Sequence, residues 1–155
     1  MCTVVVLVML TIQLFGPPAA FAPPADSYDR ATLTLVDESG QPLAMVDVRI
    51  ADTTYTKFVG LSTTTSLEDG EGMLFVHDAE AEHTYSMRGM DYPIDIVFIN
   101  ADGTVTEIHH ADPPDGFSRP DTVTGHGRYV LELPAGWTTR TGIEPGNRIE
   151  LPDID

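Results

Sequence analysis

The sequence predicts a mainly β, β-rich α+β domain: a small closed or half-closed barrel of about eight strands with one or two short helices. Three observations carry that expectation. From Ala31 onward the apolar residues recur mostly with the period of strands. Clusters of Gly, Pro, Asn and Asp punctuate the runs at turn spacing. No internal repeat is evident, and so many short strands in one small domain leave edges that a barrel would hide.

In chain order, Ala31–Val36 (ATLTLV) and Leu43–Ile50 (LAMVDVRI) flank the turn Asp37-Glu38-Ser39-Gly40 and read as a hairpin. Asp52 can cap a short helix through Thr54–Val59, with Gly60 as its stop. Four strands are expected next, at Met73–Val76, Thr84–Met87, Ile94–Ile99 and Thr104–His109, the last two joined by the turn Asn100-Ala101-Asp102-Gly103. Asp112–Gly127 holds three prolines and three glycines and reads as a long loop able to cover a site. Arg128–Leu133 resumes strand character, Ala135–Arg140 can form a helical turn around Trp137, and a turn at Glu144–Asn147 leads into Arg148–Leu151. Trp137, the lone tryptophan, is expected to plug the core or its rim.

With 155 residues and 42% hydrophobic side chains, the chain can build one core, and residues 31–155 are expected to form a single domain. Twenty-four acids against eight bases give a net charge of −16. Lys57 is the single lysine, and the seven arginines are scattered among carboxylates, so no clustered basic face exists to neutralise phosphates. Nucleic acid is excluded as a partner on that ground. Acid excess with almost no lysine suits a protein kept soluble in concentrated salt, so a halophilic source is expected.

No charge appears before Asp26, and Val4–Phe15 is apolar apart from Thr11 and Gln13. Fifteen residues before Gly16-Pro17-Pro18 would span roughly 22 Å as a helix, short of the roughly 30 Å hydrocarbon core. Ala20-Phe21-Ala22 has the form of a cleavage site. Residues 1–22 are therefore expected to be a signal peptide or N-terminal anchor and residues 23–30 a linker, although Met1-Cys2-Thr3 lacks the usual positive charge. The expected location is extracytoplasmic, either secreted or anchored to the outer face of the cytoplasmic membrane. Membrane contact would come only through an uncleaved N-terminal segment. Cys2 is the single cysteine, so no internal disulfide can form.

Several blocks occur in a recognisable order: Gly60-Leu61; Leu67 with Gly72 through Val76; Tyr85-Ser86-Met87-Arg88; Pro93 through Ile99 with Gly103; Val130 through Gly136; Gly142-Ile143; and Gly146 through Ile149. On these residues the chain resembles the domain of unknown function 192 family over Val46–Leu151. The resemblance implies a small domain, often behind a signal or anchor segment, and carries no catalytic assignment. Two departures stand out. The family usually has an aromatic-Met-Lys-Asn-Thr run where this chain has Tyr85 through Met90, and a methionine where it has Ser62.

Independently of the family, Asp95 sits inside an otherwise apolar strand and needs a partner. Arg88, seven residues earlier, is the candidate. Tyr85, Met87, Arg88, Asp95 and His109 are thus the candidate ligand-binding residues, with Arg88 offering its guanidinium fork to a polar or anionic ligand. The alternative is a purely structural role, in which Arg88 and Asp95 pair or Asp95 caps loop amides. No metal site is expected: His109 and His110 are adjacent, and no H-x-x-x-H pair exists; His77, Asp78, Glu80, Glu82 and His83 read as a solvated acidic turn. Neither a G-x-S-x-G elbow nor a phosphate loop is present, and no cofactor is implied. The favoured expectation is a non-enzymatic module binding a small ligand or a protein partner; the other is an extracytoplasmic hydrolase with Asp95 and His109 as acid and base.

Overall fold

The structure, a computed structural model, describes Pro24 and residues 27–116 and 120–151. The expected signal or anchor segment lies outside the described residues. Among the described residues, seven strands form one sheet: β1 (Arg30–Val36), β2 (Pro42–Ala51), β3 (Glu71–Ser86), β4 (Ile94–Ile99), β5 (Val105–Ala111), β6 (Thr122–Pro134) and β7 (Arg148–Glu150). Helix α1 (Thr54–Val59) links β2 to β3, and α2 (Trp137–Thr141) follows β6. The sheet order is β5-β4-β6-β3-β2-β1-β7, antiparallel except for β2 beside β3. Its two edges meet at a single bridge, Thr104 with Arg148, and the neighbouring Val105 amide donates to the Asn147 carbonyl. The barrel is therefore half closed, one of the two forms expected of a small domain that hides its strand edges.

Alternation sorts the apolar side chains onto two faces. Leu33, Leu35, Val46, Leu74, Val97 and Leu131 belong to the interior cluster, which draws on every strand. Trp137 of α2 joins it as the expected plug. On the outer face of β3, β6 and β4 a second cluster forms from Met73, Phe75, Ile96, Phe98 and Val130, with Leu61, Met87 and Met90 packed over it. Every side chain of β4 is buried because that strand serves both clusters. Each large apolar group so enclosed contributes roughly 1.5–3 kcal/mol.

Three local details differ from the sequence expectation. The expected strands Met73–Val76 and Thr84–Met87 are parts of one strand, β3, which runs through the acidic turn with a register shift between Val76 and Ala81. The helix is capped by Thr53, not Asp52: the Thr53 hydroxyl accepts from the Thr56 amide, and the Thr56 hydroxyl accepts from the Thr53 amide. Finally, β6 begins at Thr122, inside the expected Asp112–Gly127 loop. Gly125 and Gly127 mark close approach here. A Cβ on Gly125 would lie 2.6 Å from the Phe98 ring, and one on Gly127 would lie 2.5 Å from the Ile99 carbonyl oxygen.

Candidate functional site

Asp95 faces the interior end of the barrel where α2 begins. Oδ1 accepts from the Gly136 amide (3.0 Å), and Oδ2 accepts from the Thr138 amide (3.0 Å) and hydroxyl (2.7 Å). His110 Nδ1 lies 3.2 Å from Oδ1. Gly136 stands at the N-cap of α2 with no side chain to cap it, so Asp95 supplies that cap from another strand. Burial alone would push the Asp95 carboxyl up, but the bonds from Thr138, Gly136 and His110 together hold it below its ordinary value of 3.8. Asp95 is a structural anion with its acceptors filled.

The expected companions of Asp95 lie elsewhere. Arg88 makes no ion pair with it, and His109 pairs in register with Ile96 while His110 pairs with Asp95. Because residues opposite each other across two strands share a face, Asp95 and His109 point to opposite sides of the sheet. His109 instead reaches Glu107 at 3.1 Å and lies edge-on to Phe98. The structure does not bring Asp95 and His109 to one point.

Tyr85, Met87 and Arg88, in contrast, come together on the outer face. They line a cavity of about 320 Å³ between α1, the residues that follow it, the end of β3 and the Arg88–Met90 turn. Phe75, Met87, Met90 and Ile94 supply apolar wall, and Phe58, exposed on α1, stands at its border. Lys57 and Arg88 bring permanent cations. The Lys57 ammonium spends one donor on the Val76 carbonyl at 2.9 Å. Among the described residues, no carboxylate comes within 4.0 Å of the Arg88 guanidinium.

Glu132 is the residue that sequence reasoning passed over. It stands on β6 opposite Met73 and Ile96, lines the cavity, and is only 7% exposed. Among the described residues no hydrogen-bond donor reaches its carboxyl, and burial pushes it up to about 8. The group is therefore mostly neutral at pH 7, a donor and an acceptor at once. A signal was available. Glu132 is the lone charge in Tyr129-Val130-Leu131-Glu132-Leu133, the pattern that singles out Asp95 in Ile94–Ile99.

Beside it, Tyr85 lies edge-on to Phe75 and Phe98, and its hydroxyl meets His77 Nε2 at 2.8 Å. Burial, with Glu132 adding to it, pushes the Tyr85 phenol far up, so it stays protonated. His77 stacks on His83 with ring centroids 3.5 Å apart; burial, His83 and Lys57 together push His77 down to about 4. Both rings line the cavity, and His83 Nε2 is buried without a partner among the described residues. No cluster of three metal-binding side chains occurs among the described residues.

Fold and cavity together define a half-closed β barrel that carries a ligand-sized, polar-tipped pocket on its outer face. The chain belongs to the domain of unknown function 192 family, described as an uncharacterised ACR, whose model matches residues 34–151. Two solved structures are similar to it. One is a candidate transcription regulator from Sinorhizobium meliloti, 29% identical, with a TM-score of 0.71 over 80% of this chain and 95% of that one. The other is a protein of unknown function from Novosphingobium aromaticivorans, 29% identical, with a TM-score of 0.70 over 86% of this chain and 96% of that one. No curated protein matches.

Proposed function

We propose that this protein is an exported, non-enzymatic module that binds a small molecule in the cavity bordered by Tyr85, Met87, Arg88 and Glu132. One observation carries the proposal: a carboxyl buried to 7% exposure lines an open pocket with no donor from the described residues against it. An unpaired buried polar group costs about 1–3 kcal/mol, and a ligand bond removes that cost. At about 320 Å³ the cavity lies at the lower end of the range for small-molecule sites. Export is supported by the apolar N-terminal run and its Ala20-Phe21-Ala22 site.

The description of the Sinorhizobium meliloti neighbour raises nucleic-acid binding, but a net charge of −16 with scattered arginines opposes it here. Hydrolysis by Asp95 and His109 lacks support because the two groups occupy opposite faces and Asp95 is filled by α2. A thermal-shift screen of chemically diverse fragments on wild type and on Ser86→Trp tests the proposal. Ser86 lines the cavity yet is exposed, so the new ring fills space without entering the core. Selective stabilisation of wild type is expected. Failure of every fragment to stabilise it, or equal stabilisation of both folded proteins, overturns the proposal.

A further inference from the structure

We infer that the cavity takes a small organic carboxylate bearing a second hydrogen-bonding group, with its anionic head at Arg88 and that second group at Glu132. The inference rests on the proposal above that the cavity binds a small molecule at all.

Charge is the first reason. The chain carries −16 overall, yet the permanent charges lining this cavity are Lys57 and Arg88, and burial keeps the one lining carboxyl neutral at pH 7. His77 is neutral there too, so the lining is locally positive. An ammonium ligand would face two cations across apolar wall. A carboxylate would instead meet the planar donor fork that matches it in bidentate geometry, on an arginine that no protein carboxylate within 4.0 Å already occupies among the described residues. Lys57, held by the Val76 carbonyl, lines the same cavity and keeps further donors.

The second reason is Glu132, which lines the same cavity. Glu132 in its neutral form offers one O–H and one C=O, and burial alone, with no hydrogen bond from the described residues, sets its carboxyl's shift. A purely hydrocarbon tail would leave both unpaired, so the carboxylate must carry a hydroxyl, carbonyl or amide as well. Phe75, Met87, Met90 and Ile94 line the same cavity and offer apolar wall to the body of such a ligand. The same apolar wall disfavours a phosphate monoester, whose second negative charge would be desolvated without a second guanidinium.

Isothermal titration and thermal shift on the full chain would use three matched panels: hydroxy- and oxo-carboxylates, their amine counterparts, and phosphate monoesters. Saturable binding is expected from the carboxylate panel, with Arg88→Ala raising Kd at least tenfold and Arg88→Lys less. Glu132→Gln, near-isosteric, is expected to weaken hydroxy- and oxo-acids at least threefold while leaving plain carboxylates of the same size unchanged. Tighter binding of amines or phosphate monoesters overturns the ligand class and leaves the pocket proposal standing. So does an equal loss of plain and hydroxylated acids in Glu132→Gln. If no panel binds but diverse fragments still stabilise wild type over Ser86→Trp, the class alone falls; if fragments fail as well, both fall.

Discussion

Asp95 and Glu132 are two lone carboxylates set in apolar strands of one sheet, one register step apart, and they meet opposite fates. Asp95 points inward and finds two amides, a hydroxyl and an imidazole; Glu132 points outward and finds none among the described residues. The first is ionised and fastens α2 to the barrel. The second stays protonated beside a cavity. A buried carboxyl therefore reveals its role less by its burial than by whether the protein has already spent its hydrogen bonds.

The largest effect should come from removing the satisfied member. Asp95→Ala strands the Gly136 and Thr138 amides and the Thr138 hydroxyl, and is expected to cost about 4 kcal/mol, read from the urea midpoint. If Asp95→Ala cost no more than Glu132→Ala, the distinction between the two carboxyls would collapse.

Glu132→Gln probes the other side through pH. Its folded-state carboxyl titrates near 8 and its unfolded one near 4.5, so between those values the unfolded chain has lost a proton that the native state keeps. Stability then falls as pH rises across that window, with a slope approaching about 1.4 kcal/mol per pH unit, and the slope vanishes in Glu132→Gln. Asp95 acts in the reverse sense: its carboxyl is held below 3.8, so its contribution is present above that value and disappears as acid titrates the folded form. Denaturation at a series of pH values measures both slopes.

Thr53→Ala tests whether the faces are separable. Loss of the capping box should cost about 1 kcal/mol. Faster hydrogen exchange should be confined to α1 and the cavity border, with the amides around Asp95 unchanged. The smallest effect expected is general: for a halophilic protein of this charge, the melting temperature should rise by a few degrees from dilute buffer to molar salt, and equal stability in both would exclude halophilic adaptation.

Much of this molecule was legible in its residues. The hairpin, the Thr54–Val59 helix and the strand Ile94–Ile99 follow from alternation, capping chemistry and turn residues acting over a few positions. Tyr85, Met87 and Arg88 line one cavity, while Asp95 and His109, expected beside them, do not. Other features were hidden because the same residue serves two geometries. Gly125 and Gly127 read as loop glycines until Phe98 and Ile99 are seen pressing against them. The acidic stretch after His77 reads as a turn, while β3 runs on through it and resumes pairing with β6 at Ala81.

Sequence alone determined the β-rich barrel, its family, and the lone carboxylate Asp95 in an apolar strand, since each depends on side-chain order along short stretches of chain. Only the tertiary structure decided which carboxyl is spent. The Gly136 and Thr138 donors that fill Asp95 lie 41 and 43 residues away in the chain, and no local pattern announces that they arrive there while Glu132, beside it in register, is left facing open space.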